Sequence, residues 1–313
     1  MSRSGNLPNL IIIGAMKSGT TSLHYYLNLH PEIFMSRQKE LDFFNKEKNW
    51  SKGIEWYRSH FVGQAKIYGE SSPNYTNYLT WEDTPSRMFA LIPNAKLIYV
   101  VRDPVERIIS HYVHFYAARK ENRSIEDALA KLEENPYVER SRYFWQLQQY
   151  LAWFSPANIL VITSEELLNF PEQTMQQVFQ FLGVDDNFKF EFDLKRNATD
   201  ILRFGHHVTN SNFKFNTKLH DSSRKKRVTI APDSVTAKTL SRITQLLPSE
   251  IRVHAKRVLY LPFSQKLEKP IISDELRQKL IDFLAEDINQ LKTYTGRNFE
   301  EWNLQYKDCS KSF

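Results

Sequence analysis

The string LIIIGAMKSGTTSLHYYL, residues 10–27, constrains this chain more than any other part of it. Leucine and three β-branched isoleucines in a row read as a strand buried on both faces. A glycine ends the run and a turn of small and hydroxyl-bearing residues follows. From about residue 20 to residue 29 the pattern is helical. A strand that turns tightly into a helix aims backbone N–H groups and the positive helix end at one spot, which makes an anion site. Lys17 adds a full charge there, and Ser18, Thr20, Thr21 and Ser22 add hydroxyl donors around Gly19.

This loop departs from the ATP-binding pattern in one respect. That pattern, G-x-x-x-x-G-K-[ST], puts the lysine directly after the second glycine. Gly14 and Gly19 have the required separation, but Thr20 holds the lysine position and Lys17 lies inside the loop. A lysine so placed reaches an oxygen near the loop's own mouth and is badly placed to run beside a triphosphate and its metal. The second strong strand, AKLIYVVRD, offers Arg102 before Asp103, a cation where a nucleoside triphosphatase usually ends in a carboxylate.

Strand and helix signals alternate through the first two-thirds of the chain. EIFMS and KIYGES read as short strands, and ANILVITSEEL as a strand running into a helix capped by Ser164. PVERIISHYVHFYAARK is an amphipathic helix with Pro104 in its first turn, where no amide donor is lost. This alternation predicts an α/β fold, a parallel sheet with helices on both faces. Beyond about residue 188 the chain turns polar and loop-like. Helical patterns then return in PDSVTAKTLSRITQLLP and SDELRQKLIDFLAEDINQLKTYTG, with Gly296 as a C-cap. The expectation is one domain over residues 1–313 with a helical C-terminal extension.

Composition narrows the partners. Hydrophobic residues at 41% and charged residues at 25% belong to a soluble globular class. The net charge of +6, from 42 basic and 36 acidic residues, suits anionic ligands but is too small and scattered for nucleic acid. A single cysteine, Cys309, excludes a disulfide within the chain and favours a reducing compartment. The apolar run LIII is too short for a signal peptide or a membrane span. A cytoplasmic protein with no membrane partner is the expectation.

GAMKSGTTSL together with VVRDPVERIISHY resembles the paired signatures of sulfotransferases that use 3′-phosphoadenosine 5′-phosphosulfate (PAPS). The resemblance implies a P-loop-type fold, PAPS as co-substrate and no metal, Lys17 serving where magnesium would. It makes the first string a 5′-phosphosulfate loop, with Ser18, Gly19, Thr20, Thr21 and Ser22 as its cradle. Lys17 then steadies the bridging oxygen as the sulfuryl group leaves, and Arg102 and Ser110 grip the 3′-phosphate. Ser110 lies about two turns into the helix that follows Arg102, so both can flank one phosphate.

SRQKELDFFNKEKNWSKGIEWYRSHF, residues 36–61, is similar to the acceptor-side segment of the heparan sulfate branch, where a glutamate precedes an aromatic pair. This implies Glu40 as general base, with Lys39 orienting the sulfuryl oxygens or the acceptor. Phe43 and Phe44 read equally as core. His114, one turn beyond Ser110, matches a catalytic histidine of the N-sulfating branch and is a second candidate base. His111 reads as a packed histidine. YGESSPNYTNY matches a strand and loop lining the acceptor cleft, with Ser71 where the family commonly has lysine, so one expected cation is missing. Glu70 in that string supports the base, meets the acceptor or caps the turn, and Tyr75 and Tyr78 read as sugar platforms or as core. SRKKR, residues 223–227, corresponds to a late loop that closes over the nucleotide in relatives, and TGRNFEEW resembles the family's C-terminal ending. The resemblance therefore implies in-line transfer of a sulfuryl group to a hydroxyl, or alternatively an amine, of a saccharide or small metabolite. A metal-dependent kinase on the same fold and a non-catalytic module binding anionic glycans are the alternatives.

Overall fold

In the computed structural model, which describes residues 5–189 and 270–304, five parallel strands form one sheet. They are β1 (Leu10–Gly14), β2 (Ile33–Met35), β3 (Ile67–Ser71), β4 (Lys96–Val101) and β5 (Ile159–Thr163), in the order β2-β3-β1-β4-β5. β1 lies at the centre, with Ile12 in register with Ser71 on one side and Ile98 on the other. Successive strand residues point to opposite faces. Ile11, Ile13, Leu97, Tyr99 and Val101 accordingly enter one core, and Leu10, Ile12, Ile98 and Val100 enter the other. The unbroken apolar runs of β1 and β4 follow from that double burial.

The helices sort by face. α1 (Thr20–Leu27) covers one face through Leu23 and Leu27, joined late in the chain by α8 (Ser164–Asn169) and α9 (Pro171–Leu182). The opposite core takes residues of α2 (Gly53–Arg58), α3 (Thr84–Leu91), α4 (Pro104–Ala117) and the short α5 (Ile125–Ala128) and α6 (Pro136–Glu139). α7 (Tyr143–Leu151) and α10 (Asp274–Thr295) complete that layer. α10 runs from the Ser273 cap to Gly296, whose φ of 67° is the left-handed conformation expected of a helix C-cap. Leu280, Leu284, Ile288 and Leu291 form its buried stripe, each leucine contributing about 2 kcal/mol by removal from water. Asp287 interrupts the stripe for a reason: its carboxylate accepts from the amides of Phe144 and Trp145 at 3.0 and 2.8 Å and so caps α7.

Two local expectations meet different outcomes. Pro104 opens α4 as anticipated, with Asp103 capping through a 2.9 Å bond from the Glu106 amide. Ser164, however, is the first helical residue of α8 and not its cap. Thr163 ends β5 in extended geometry and forms a capping box with Glu166, both bonds being 3.1 Å. The strings PDSVTAKTLSRITQLLP and SRKKR, and Cys309, lie outside the described residues. Among the described residues no helix is long and apolar enough to cross a membrane.

The connections define where a ligand can sit. From β1 the chain moves to β2 and β3 on one side, then crosses β1 to reach β4 and β5 on the other. The reversal falls between β1 and β4, and open α/β sheets bind ligands outside the carboxyl ends of the strands at such a point.

Candidate active site

The loop after β1 occupies that point. Gly14 has no room for a side chain: a Cβ there would lie 2.0 Å from Thr76 Oγ1 and 2.9 Å from a ring carbon of Tyr99. The turn is closed by the amide of Ala15 on the Val100 carbonyl at 2.7 Å and that of Ser18 on the Ala15 carbonyl at 3.1 Å. Lys17 and Gly19 take positive φ values of 74° and 93°, which turns the intervening peptide units toward a common concavity. α1 then begins without a side-chain cap and without an acidic residue in its first turn. Its opening amides precede the first intrahelical bond, so the positive end of the helix is left for an anion.

Arg102 follows β4 directly and Nη1 donates to the Lys17 carbonyl at 3.2 Å. That bond ties the two sequence signatures together across the β1–β4 boundary. The guanidinium has only a loose contact with Glu106 at 4.0 Å, and Glu106 also faces Arg277 at 3.8 Å. Its Nε is buried with no partner among the described residues. A buried cationic donor without an acceptor is costly, and an anion arriving beside it removes that cost. Ser110 lies half-buried two turns along α4.

Two further arginines back the loop. Arg107 is fully buried, and its three nitrogens reach Ser141 Oγ, the Tyr137 carbonyl and the Met16 carbonyl. Arg140 directs Nη1 to the Met16 sulfur at 3.0 Å and to Asn74 Oδ1 at 3.4 Å. Burial lowers the pKa of each to about 10, so both remain charged at neutral pH. Neither was singled out from the sequence. Arg107 carries a signal, because it lies on the apolar stripe of its helix one turn before the buried His111. Arg140 carries none.

The acceptor-side segment follows β2. Its backbone is pinned to the end of β3 by the Glu40 amide on the Ser71 carbonyl at 2.9 Å and the Asp42 amide on Ser72 Oγ at 3.0 Å. Lys39 is mostly buried and bridges the two sides, donating to Thr20 Oγ1 at 3.4 Å and to Glu40 at 3.2 Å. Burial lowers its pKa, opposed by the Glu40 carboxylate. Glu40 itself is half-exposed, at 52%. Asp42 was missed: it is buried, and it accepts from Lys48 and, at 3.2 Å, from the Asn74 amide. A second acid two residues after Glu40 in the same string was the available signal.

Glu70 stands apart from the other candidates. It is 0% exposed, and its two oxygens accept from Tyr57, Tyr75 and Ser72 hydroxyls at 2.8, 2.7 and 2.6 Å. Both oxygens are engaged and neither is exposed, so Glu70 supports the cleft wall and does not line it. Burial raises its pKa to about 7 against the pull of those three bonds. Tyr75 is core by the same measure, as are Phe43 and Phe44, the former stacked on Tyr57 at 4.1 Å. Tyr78 is half-buried, edge-on to Trp145 at 5.6 Å.

The histidines separate cleanly. His111 is fully buried with neither ring nitrogen bonded, packed against Phe115 and Tyr137, and burial pushes its pKa far down. It is a packed histidine, as the sequence reading preferred. His114 is exposed; partial burial and the charge of Lys17 lower its pKa, while the charge of Glu40 raises it. His114 therefore lies within electrostatic reach of both Lys17 and Glu40.

Residues 7–239 match the sulfotransferase domain family. The membrane-associated sulfotransferase kil1 of Dictyostelium discoideum is 45% identical over 123 residues, covering 38% of this chain and 25% of that protein. Human heparan sulfate glucosamine 3-O-sulfotransferase 5 is 31% identical over 242 residues, 74% of this chain and 67% of that one. The chain thus spans about a quarter of the first relative's length and two-thirds of the second's. A sulfotransferase structure from Alicyclobacillus acidocaldarius shares the fold with a TM-score of 0.63 at 23% identity, covering 95% of this chain and 99% of that one. With the match reaching from the strand before the loop well past the last strand of the sheet, the chain belongs to the sulfotransferase family.

Proposed function

We propose that this chain transfers a sulfuryl group from PAPS to an acceptor hydroxyl. The observation that carries the proposal is the Arg102 bond to the Lys17 carbonyl, which brings two cationic anchors to one crevice while leaving Arg102 Nε without a partner among the described residues. A donor with phosphates at both ends of an adenosine needs two such anchors. The loop amides, Ser18, Gly19, Thr20, Thr21 and Ser22 suit the 5′ end, and Arg102 with Ser110 the 3′ end.

Chemistry then rests on position and charge. Glu40 takes the proton of the attacking hydroxyl as the new sulfur–oxygen bond forms. Lys17 neutralises the charge that builds on the departing phosphate oxygen as the old bond breaks. Lys39 couples the two sides, bonded to the candidate base and to the first turn of α1. That coupling favours Glu40 as base over His114, the second candidate, whose neutral imidazole could also accept a proton. A saccharide or small metabolite is the proposed acceptor class, supported by the relative named for heparan sulfate glucosamine. A cytoplasmic location rests on the single cysteine, and cell fractionation tests it against the membrane association recorded in the name of kil1.

Calorimetry with 3′-phosphoadenosine 5′-phosphate (PAP) and with ATP–magnesium tests the donor. Tight PAP binding that Arg102→Ala weakens at least tenfold is expected; preference for ATP–magnesium sinks the proposal in favour of a kinase. Incubating radiolabelled donor with cell extract then identifies the acceptor as the molecule that takes up label.

A further inference from the structure

Arg107, fully buried, and Arg140, half-buried, stand behind one loop, and they are satisfied very differently. Arg107 places each guanidinium nitrogen on an oxygen, as a structural arginine should. Arg140, half-buried, spends Nη1 on a thioether at 3.0 Å and on a long hydrogen bond to the Asn74 amide oxygen at 3.4 Å. A thioether is a weak acceptor. Its Nε is sealed from solvent with no partner among the described residues. Asp42, a carboxylate whose charge acts on it, is already engaged by Lys48 and Asn74. A half-buried guanidinium with a sealed, unpartnered Nε and only weak acceptors on Nη1 is poorly compensated and has capacity for an anion.

Its position says what that anion is. Met16 is the chain neighbour of Lys17 on the donor loop. Asn74 lies in the turn after β3, and its amide nitrogen holds Asp42 of the acceptor segment. The guanidinium therefore spans the seam between donor loop and acceptor segment, which a group in transit must cross. We propose that Arg140 binds an oxygen of the sulfuryl group during transfer, acting beside Lys17 from the acceptor side. This rests on the donor reading above.

Inorganic sulfate stands in for the sulfuryl group once PAP fills the donor site, so the experiment is sulfate titration of the PAP-loaded full chain. Arg140→Gln removes the charge and Arg140→Lys keeps it. The expected result is unchanged PAP affinity, within about twofold, with sulfate affinity at least tenfold weaker in the glutamine variant and largely recovered in the lysine variant. Turnover should follow sulfate affinity while the KM for the donor stays level. Sulfate binding equal in wild type and Arg140→Gln, or no sulfate binding to the wild-type PAP complex, overturns the inference and leaves the donor reading intact. Loss of PAP affinity in both variants makes Arg140 structural and also overturns it. A wild-type chain that fails to bind PAP overturns the donor reading first, and this inference with it.

Discussion

Glu70 gives the sharpest prediction, because its environment translates directly into a pH dependence. Its carboxyl is fully buried and its pKa rises from 4.5 to about 7. A group with a raised folded-state pKa stabilises fully below the unfolded value, and that contribution is lost as pH rises through the folded value. The window is therefore about pH 4.5 to 7. At about 1.4 kcal/mol per pH unit, the loss across it is about 3 kcal/mol. Glu70→Gln removes the titration and keeps the shape. The amide oxygen can still accept from Tyr57 and Tyr75, while the amide nitrogen must face Ser72 Oγ, a change of about 1 kcal/mol at any pH.

The variant should therefore be less stable than wild type near pH 4 and more stable near pH 8. For 313 residues, about 2 cal/mol/K per residue gives an unfolding entropy near ~0.65 kcal/mol/K. The difference between the two melting temperatures should consequently move by about 5 °C between these pH values. Thermal melts of both proteins across the range measure it. Asp287, whose pKa burial raises to about 6, titrates in both proteins and cancels. Parallel melting profiles would refute the reasoning, since they would mean that Glu70 does not change its charge in the folded protein across this range.

The other predictions concern the site directly. Lys17→Ala should lower kcat by about a hundredfold or more, the usual effect of losing one preorganised donor, and a turnover near wild type refutes its role. Glu40→Gln should lower kcat on the order of a hundredfold with PAP affinity unchanged; a larger loss in His114→Asn moves the base to the histidine. Gly14→Ala should destabilise by at least about 2 kcal/mol, lowering the melting temperature by ~3 °C or more, because Thr76 and Tyr99 leave no space for the methyl group.

What could be read in advance depended on how far apart the cooperating residues stand. The strands β1, β4 and β5 announce themselves because burial on both faces demands unbroken apolar runs, and Gly296 because a helix end needs a left-handed residue. The four-residue helices α5 and α6 have no room for a period and leave no pattern to find. Ser164 was misjudged by one position, where adjacent Thr and Ser could each cap and only the strand's last hydrogen-bonded residue decides.

The site divides along the same line. The half proposed for the donor is local: strand, loop and helix start lie within one run of residues, and Arg102 follows its own strand without a gap. The constraint on each residue comes from its chain neighbours, so a short string can hold it. The acceptor half is assembled from a distance. Arg140 meets Met16 across 124 positions and Asn74 across 66, and nothing in the string around it marks a charge bound for a buried seam. Glu70 looked available because a carboxylate at a strand end usually is. Only the approach of Tyr57, Tyr75 and Ser72 closes it off, and two of those three come from beyond its own strand and the residue that follows it. On the proposed reading, donor recognition on this sheet is thus carried by single segments, whereas the acceptor side depends on how several segments meet.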